Sequence, residues 1–244
     1  MSLEVLGVIP ARLGSSRLPR KVVREIAGVP MICRVYERAR RSPHLGDVLV
    51  ATDSDEIVDL CQRHRIPAVM TSSAHRSGTD RVWEVAQGRA ADVYVNIQGD
   101  YPLLTTGHVA RLIEPFLTKP ETQVSTLRIR ATEAEVADPN AVKVVVNTLG
   151  EALYFSRHPI PYDRDGVGVV RYRHIGLYAY HRHALDGFHR LAPSPLEVTE
   201  NLEQLRFLEN GVPIAVTETD EPTIAVETEE DLRAVEAWLA SGRA

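Results

Sequence analysis

An α/β fold of three layers around a mixed, mostly parallel sheet is the architecture this sequence predicts. Three observations carry that expectation. Short Val/Ile-rich runs end in turn residues at Leu3–Pro10, Asp47–Thr52, Ile66–Met70 and Val93–Ile97, the pattern of strands buried on both faces. Helical patterns separate them at 30–41, 54–64, 79–87 and 105–117. The connections are short, which favours right-handed crossovers between parallel neighbours.

The first helix is the most clearly patterned: Ile32, Val35, Tyr36 and Ala39 recur at i, i+3, i+4 and i+7 and define one apolar face. The second half has strand-like runs at Val124–Ile129, Val142–Val146, Ala152–Phe155 and Tyr172–Tyr180 with fewer helices between them, so antiparallel pairing is expected there. Prolines, glycines and charges around Arg157–Val169 suggest an excursion within a β-rich stretch of about 150–182. A helix is expected from Pro195 to Asn210, stopped by Gly211 and Pro213. A last strand, Thr223–Val226, should precede a helix opened by the capping-box pair Thr228 and Asp231, with Leu232, Val235 and Leu239 as its apolar stripe. With no internal repeat, low-complexity tract or linker, residues 1–244 read as one continuous domain.

Composition narrows the function classes. The 244 residues are 44% hydrophobic and 25% charged, ordinary for a chain with a buried core. A net charge of −5 gives no electrostatic reason for nucleic acid as a partner. The apolar stretch Val5–Pro10 is too short for a signal peptide, and no run has the length of a membrane span. A soluble cytoplasmic protein is expected. Cys33 and Cys61 lie in helical patterns and read as small core residues in a reducing compartment.

The segment after the first strand carries the chemistry. Pro10-Ala11-Arg12-Leu13-Gly14-Ser15-Ser16-Arg17-Leu18-Pro19-Arg20-Lys21 sets glycine and hydroxyl donors among four cations within ten residues. A polyphosphate needs both directional donors and offsetting charge, and the position is where open α/β sheets place their ligand crevice. There is no G-x-x-x-x-G-K-[ST], and Gly166-Val167-Gly168 is far from the first strand and lacks a third glycine. A P-loop NTPase and a dinucleotide-dependent dehydrogenase are therefore disfavoured. Asp100, following a strand through Gln98-Gly99, should project from the carboxyl edge of the sheet, where a carboxylate can hold a divalent cation. His181 and His183, if helical, would diverge and make a poor metal pair; if extended they could share a face, but no third ligand is evident.

The A-R-x-x-S-x-R-x-P-x-K loop resembles that of the sugar-acid cytidylyltransferases. Further segments follow in the order that family has them: His75-Arg76-Ser77-Gly78-Thr79-Asp80-Arg81, Asn96-Ile97-Gln98-Gly99-Asp100, Leu153-Tyr154-Phe155-Ser156-Arg157, His174-Ile175-Gly176-Leu177-Tyr178 and Leu202-Glu203-Gln204-Leu205-Arg206. They are similar to signatures of the 3-deoxy-manno-octulosonate (Kdo) cytidylyltransferases, and favour that branch over the sialic-acid one.

The resemblance implies a nucleotide-diphospho-sugar transferase-like, Rossmann-like fold and a transferase that makes CMP-Kdo and pyrophosphate from CTP and Kdo for lipopolysaccharide biosynthesis. It implies catalytic roles for Arg12, Lys21 and Asp100. It places the nucleotide on Pro10, Ala11, Arg12, Leu13, Gly14, Ser15, Ser16, Lys21, Ser77, Gly78 and Asp100, with cytosine near Arg12, Met70, Thr71 and Arg81. It assigns the sugar to Gln98, Arg157, His174, Tyr178, Glu203 and Gln204, with Arg157 facing the substrate carboxylate. It implies Mg²⁺ on Asp100 and on Glu227, where the family usually has Asp, and a homodimer formed through the irregular second-half strands. Glu227, and Tyr101 where the family often has Glu, leave two alternatives open: a modified (for example amino) Kdo or another acid sugar as acceptor, or a nucleotide-binding paralogue without turnover. On helical spacing alone, Phe207 would share a side with Glu203 and flank a sugar-binding patch.

Overall fold

The computed structural model describes residues 3–15 and 17–242. Ser16, expected to bind nucleotide, lies outside the described residues. The chain packs as two compact units, residues 1–110 with 223–244, and residues 111–222.

In the first unit, β1 (Val5–Ala11) is buried along its whole length. After the phosphate-loop candidate and a 3-10 turn at Lys21–Val23 come the short hairpin β2 (Glu25–Ile26) and β3 (Val29–Pro30), then α1 (Met31–Ala39). There follow β4 (Asp47–Thr52), α2 (Asp55–Arg63), β5 (Ala68–Met70), α3 (Gly78–Gly88) and β6 (Val93–Asn96). Within this unit β6, β1, β4 and β5 lie side by side and parallel. The register pairs Ala11 with Thr52 and Thr52 with Met70, so three strands end level at one edge. β6 stops opposite Val8, and Ile97 N–H continues the ladder to the Val8 carbonyl at 2.9 Å. The carboxyl ends thus define one rim, as expected of βαβ units. Ile32, Val35 and Ala39 of α1 are fully buried, in line with the predicted face.

The expected last strand, Thr223–Val226, is not a strand. It is an extended segment that joins no β-ladder among the described residues, and its Val226 N–H donates to the Asp100 carbonyl at 2.9 Å. The C-terminal helix Glu229–Ala240 begins with the predicted reciprocal capping box of Thr228 and Asp231.

Helix α4 (Thr106–Thr118) leads the chain on to β7 (Val124–Arg130), α5 (Glu133–Ala137), β8 (Lys143–Val146), β9 (Ala152–Ser156), β10 (Tyr172–His181), α6 (Arg182–Arg190), α7 (Pro195–Glu200), α8 (Leu205–Glu209) and β11 (Ile214–Glu218). Here β11 and β7 are parallel, whereas β7–β10, β10–β8 and β8–β9 are antiparallel. The α/β class with parallel strands first and mixed pairing later is therefore as predicted.

One further sequence expectation fails locally. The single helix over 195–210 is broken after Glu200, where Asn201 adopts a left-handed φ of 53°. Asn tolerates that conformation better than most residues, and it lets Arg157 cap the end of α7. His181 ends β10 as the extended residue that opens α6, so the divergence of two helical positions does not apply, and its ring stacks on that of His183 at 5.4 Å.

Candidate active site

A cavity of about 240 Å³ opens at the rim of the first unit, lined by the loop after β1, the start of α3, the segment after β6 and Glu227. The loop is held locally. Arg20 N–H donates to the Leu13 carbonyl at 3.3 Å, and Arg20 itself takes a φ of 58°, turning the chain into the 3-10 turn that presents Lys21. Leu18, only 1% exposed, anchors the loop in a hydrophobic cluster with Ile26, Met31, Leu103 and Val226.

That cluster also explains the acidic side of the cavity. Leu18 and Val226 share one core, so the next residues along, Arg17 and Glu227, meet as an ion pair. The Val226–Asp100 backbone bond brings the segment bearing Glu227 alongside the one bearing Asp100. Lys21 Nζ lies 2.5 Å from Asp100 Oδ2, in a pair that is mostly shielded from solvent. The other oxygen, Asp100 Oδ1, is buried and has no hydrogen-bond partner among the described residues. A buried carboxylate oxygen without a partner is costly unless a ligand completes it, and a cation would. Among the described residues no group of three or more His, Cys, Asp or Glu side chains gathers as a metal centre. Mg²⁺ does not need one, because it commonly takes one or two carboxylates and completes its shell with phosphate oxygens and water.

Glycines set the cavity floor. A Cβ on Gly99 would stand 3.2 Å from the Pro10 carbonyl oxygen and 3.3 Å from Ile32 Cδ1; one on Gly78 would stand 3.1 Å from Pro10 Cγ. On the far wall α3 starts with a complete capping box of Ser77 and Asp80, leaving the positive end of its dipole at the cavity. Arg81, in the first turns of α3, is buried. Its Nη2 donates to Asp53 Oδ2 at 2.6 Å, and its Nη1 to Thr71 Oγ1 at 2.7 Å and to the Ser72 carbonyl at 3.2 Å. His75 Nε2 contacts Glu84 Oε2 at 2.5 Å, and the same oxygen accepts Ser72 N–H. Burial would raise the Glu84 pKa, but these two bonds and the facing His75 and Arg81 hold it below the usual carboxylate range.

Of the residues expected to bind nucleotide, Pro10, Ala11, Arg12, Gly14, Ser15, Lys21, Ser77, Gly78, Arg81 and Asp100 line this one cavity, and so do Gln98 and Glu227. Leu13, Met70 and Thr71 do not. Met70 is half exposed at the end of β5, and Thr71 is buried against Arg81. Tyr101 is also buried and does not line the cavity. Sequence reasoning counted Arg17 among the cations of the phosphate loop without naming it a site residue, and left out His75 and Arg76, although all three line the cavity. The signal was present in the H-R-S-G-T-D-R run, whose first two residues precede the α3 cap. Arg12 and Arg76 are exposed and make no ion pair among the described residues.

The remaining predicted residues belong to the second unit. His174 is buried, and burial together with the neighbouring Arg173 charge pushes its pKa down to about 3. Thr126 Oγ1 lies 2.9 Å from His174 Nε2 and 2.8 Å from the Leu177 carbonyl. With the threonine proton given to that carbonyl, Nε2 is the protonated ring nitrogen of a neutral imidazole and Nδ1 is left as an acceptor. His174 lies edge-on to Phe155 (5.0 Å) and close to Tyr178 (5.4 Å); the row continues through Tyr180 to Phe207 and Phe188. Phe207, expected to flank a sugar-binding patch on a continuous helix, is instead 1% exposed and part of this core, because the helix is interrupted before it.

Gln204 is buried and its Nε2 has no hydrogen-bond partner among the described residues, while Glu203 next to it is half-buried. Arg157 donates Nε, Nη1 and Nη2 to the carbonyls of Glu200, Pro139 and Asn201 at 2.7, 3.0 and 3.3 Å. The Glu200 carboxylate accepts Ser156 Oγ–H at 2.6 Å and Arg157 N–H at 3.0 Å. Arg157 and Glu200 therefore lock the strand end to the turn that precedes Glu203 and Gln204.

Comparison with known proteins agrees with this geometry. Residues 6–218 match the family model described as cytidylyltransferase. The chain is 57% identical over 239 residues to the 3-deoxy-manno-octulosonate cytidylyltransferase of Acidobacterium capsulatum, covering 98% of this chain and 97% of the relative. It is 55% identical to that of Koribacter versatilis, covering 98% and 92%. A solved structure of a CMP:2-keto-3-deoxy-manno-octonic acid synthetase complexed with CTP superposes with a TM-score of 0.93 at 42% identity, covering 98% of this chain and 99% of the other. The chain belongs to the 3-deoxy-manno-octulosonate cytidylyltransferase family.

Proposed function

We propose that this protein transfers the cytidylyl group of CTP to the anomeric hydroxyl of Kdo, forming CMP-Kdo and releasing pyrophosphate. The observation that carries the reading is the single cavity in which Arg12, Lys21, the start of α3 and two carboxylates converge. The names of the relatives support the substrates.

In this reading the loop amides, the Ser15 hydroxyl and the positive end of α3 bind the triphosphate. Arg12 and Lys21 take up the charge that develops on pyrophosphate as the P–O bond breaks. Arg81 keeps the Thr71–Ser72 turn in place as a wall for cytosine. Mg²⁺ fits Asp100, through its open Oδ1, and Glu227; bound there it would polarise the α-phosphate and acidify the attacking hydroxyl. Neutral His174 accepts a sugar hydroxyl at Nδ1, and Tyr178, Glu203 and Gln204 supply further polar contacts; Gln98 lines the nucleotide cavity. Arg157 acts by fixing the turn that carries Glu203 and Gln204. No side chain is assigned as general base; positioning the hydroxyl in line with the leaving group suffices.

We place the reaction in the cytoplasm, where CTP is available and the buried thiols Cys33 and Cys61 stay reduced. No helix of the described residues is long and apolar enough to cross a membrane. A homodimer through the 150–182 stretch is supported by the exposed apolar side chains Leu153, Tyr162 and Val167. Pyrophosphate release from CTP and Mg²⁺ across a panel of acid sugars tests the reading. Turnover with Kdo above all others is expected; turnover confined to another acid sugar, or CTP binding without any release, would replace it.

A further inference from the structure

We propose that Arg17 is a place-holder for the divalent cation, so that the metal enters this site with the nucleotide and not before it. The proposal rests on the reading of Asp100 and Glu227 as metal ligands.

Both carboxylates have a cation from the same loop: Lys21 on Asp100 at 2.5 Å, and Arg17 on Glu227. The charge the metal would neutralise is therefore already neutralised, while Asp100 Oδ1 is a buried oxygen without a hydrogen-bond partner among the described residues. Glu227 matters particularly. Its extra methylene, compared with aspartate, extends the carboxylate toward the loop, and the shared packing of Leu18 and Val226 fixes Arg17 opposite it. The two contacts differ in how readily they part. Lys21 and Asp100 are mostly shielded, whereas Arg17 is about half exposed and Glu227 one-third. An ion pair exposed to that degree contributes little to stability, since water competes for both groups.

A triphosphate offers Arg17 several anionic oxygens in place of one carboxylate. When it enters, Arg17 moves to the phosphates and Glu227 is released to the cation that the phosphates bring with them. The same arginine thus suppresses metal binding in the free protein and adds to nucleotide binding in the loaded one. Metal and nucleotide are then positively coupled, and by linkage each raises the other's affinity by the same factor.

The test is Mn²⁺ binding followed by the paramagnetic resonance of free Mn²⁺, on the full chain with and without a non-hydrolysable CTP analogue. Binding of Mn²⁺ to the analogue alone is measured and subtracted. The wild type is expected to bind Mn²⁺ at least tenfold more tightly when the analogue is present. Arg17→Ala should bind Mn²⁺ alone about five- to tenfold more tightly than the wild type, and its coupling factor should shrink accordingly. Arg63→Ala removes an exposed cation of α2 that does not line the cavity, and should leave Mn²⁺ binding within about twofold of the wild type. Equal gains in the two variants would mean a general field effect and overturn the place-holder role. So would an Arg17→Ala protein whose metal affinity is unchanged. A wild type with no analogue-dependent Mn²⁺ site would remove the metal reading itself, and the proposal with it.

Discussion

Arg81 Nη1 lies 2.7 Å from Thr71 Oγ1 while its Nη2 lies 2.6 Å from Asp53 Oδ2, so one buried guanidinium ties the ends of β4 and β5 to α3. This fork fixes the side of the cavity farthest from the phosphate loop. Arg is suited to it because its planar donors satisfy two acceptors at once, which a lysine ammonium on a flexible stem does not.

Replacing Arg81 with Met therefore leaves Asp53 and Thr71 unpaired behind the wall. A stability loss of about 2–4 kcal/mol is expected from breaking a largely buried pair, read as a lowered urea midpoint. Arg81→Lys should recover part of that stability while still weakening CTP binding, because the Thr71 contact is lost.

Gly99→Ala tests the floor. Its new methyl would sit 3.2 Å from the Pro10 carbonyl, which is backbone at the start of the phosphate loop and cannot rotate away. The loop must shift by a few tenths of an ångström, and a displacement of that kind near reacting atoms is expected to lower kcat/KM by about tenfold. Far-ultraviolet circular dichroism should be unchanged.

His174 gives the fold a pH dependence of defined sign. The imidazole is neutral when folded, with its pKa held near 3 by burial and by Arg173, whereas the unfolded chain takes up a proton near pH 6.5. The unfolded state thus binds the extra proton as pH falls, and the native state loses about 1.4 kcal/mol per pH unit from this group below pH 6.5. Denaturant titrations from pH 7 to pH 4 should show a shallower decline in His174→Gln than in the wild type. Identical slopes would mean that His174 is solvated in the native protein.

The parts of this fold that could be read from sequence are those where local pattern and tertiary packing agree. Short apolar runs and one well-marked helical face gave the parallel half, and the basic loop after the first strand marked the cavity. What could not be read depended on partners distant in sequence. Asn201 interrupts a helical pattern because Arg157 and Glu200 bind the turn around it, and periodicity carries no trace of that. Thr223–Val226 has strand composition but joins no ladder among the described residues; Val226 N–H instead donates to the Asp100 carbonyl. The Arg17–Glu227 pair joins residues far apart in the chain and follows from the packing of Leu18 on Val226, so no spacing rule reveals it. His75 and Arg76 were visible as part of a motif, but only the start of α3 shows that they line the cavity.

The central claim is that Lys21 and Asp100 act together on the triphosphate, and a double-mutant cycle with Lys21→Ala and Asp100→Asn tests it most directly. Pyrophosphate release from CTP, Mg²⁺ and Kdo should fall by about 10²–10³ in each single variant. The double variant should lose clearly less than the product of the two, since the residues share one cavity and contact each other at 2.5 Å. Turnover within a few fold of the wild type in either single variant, with the protein folded, would contradict the account.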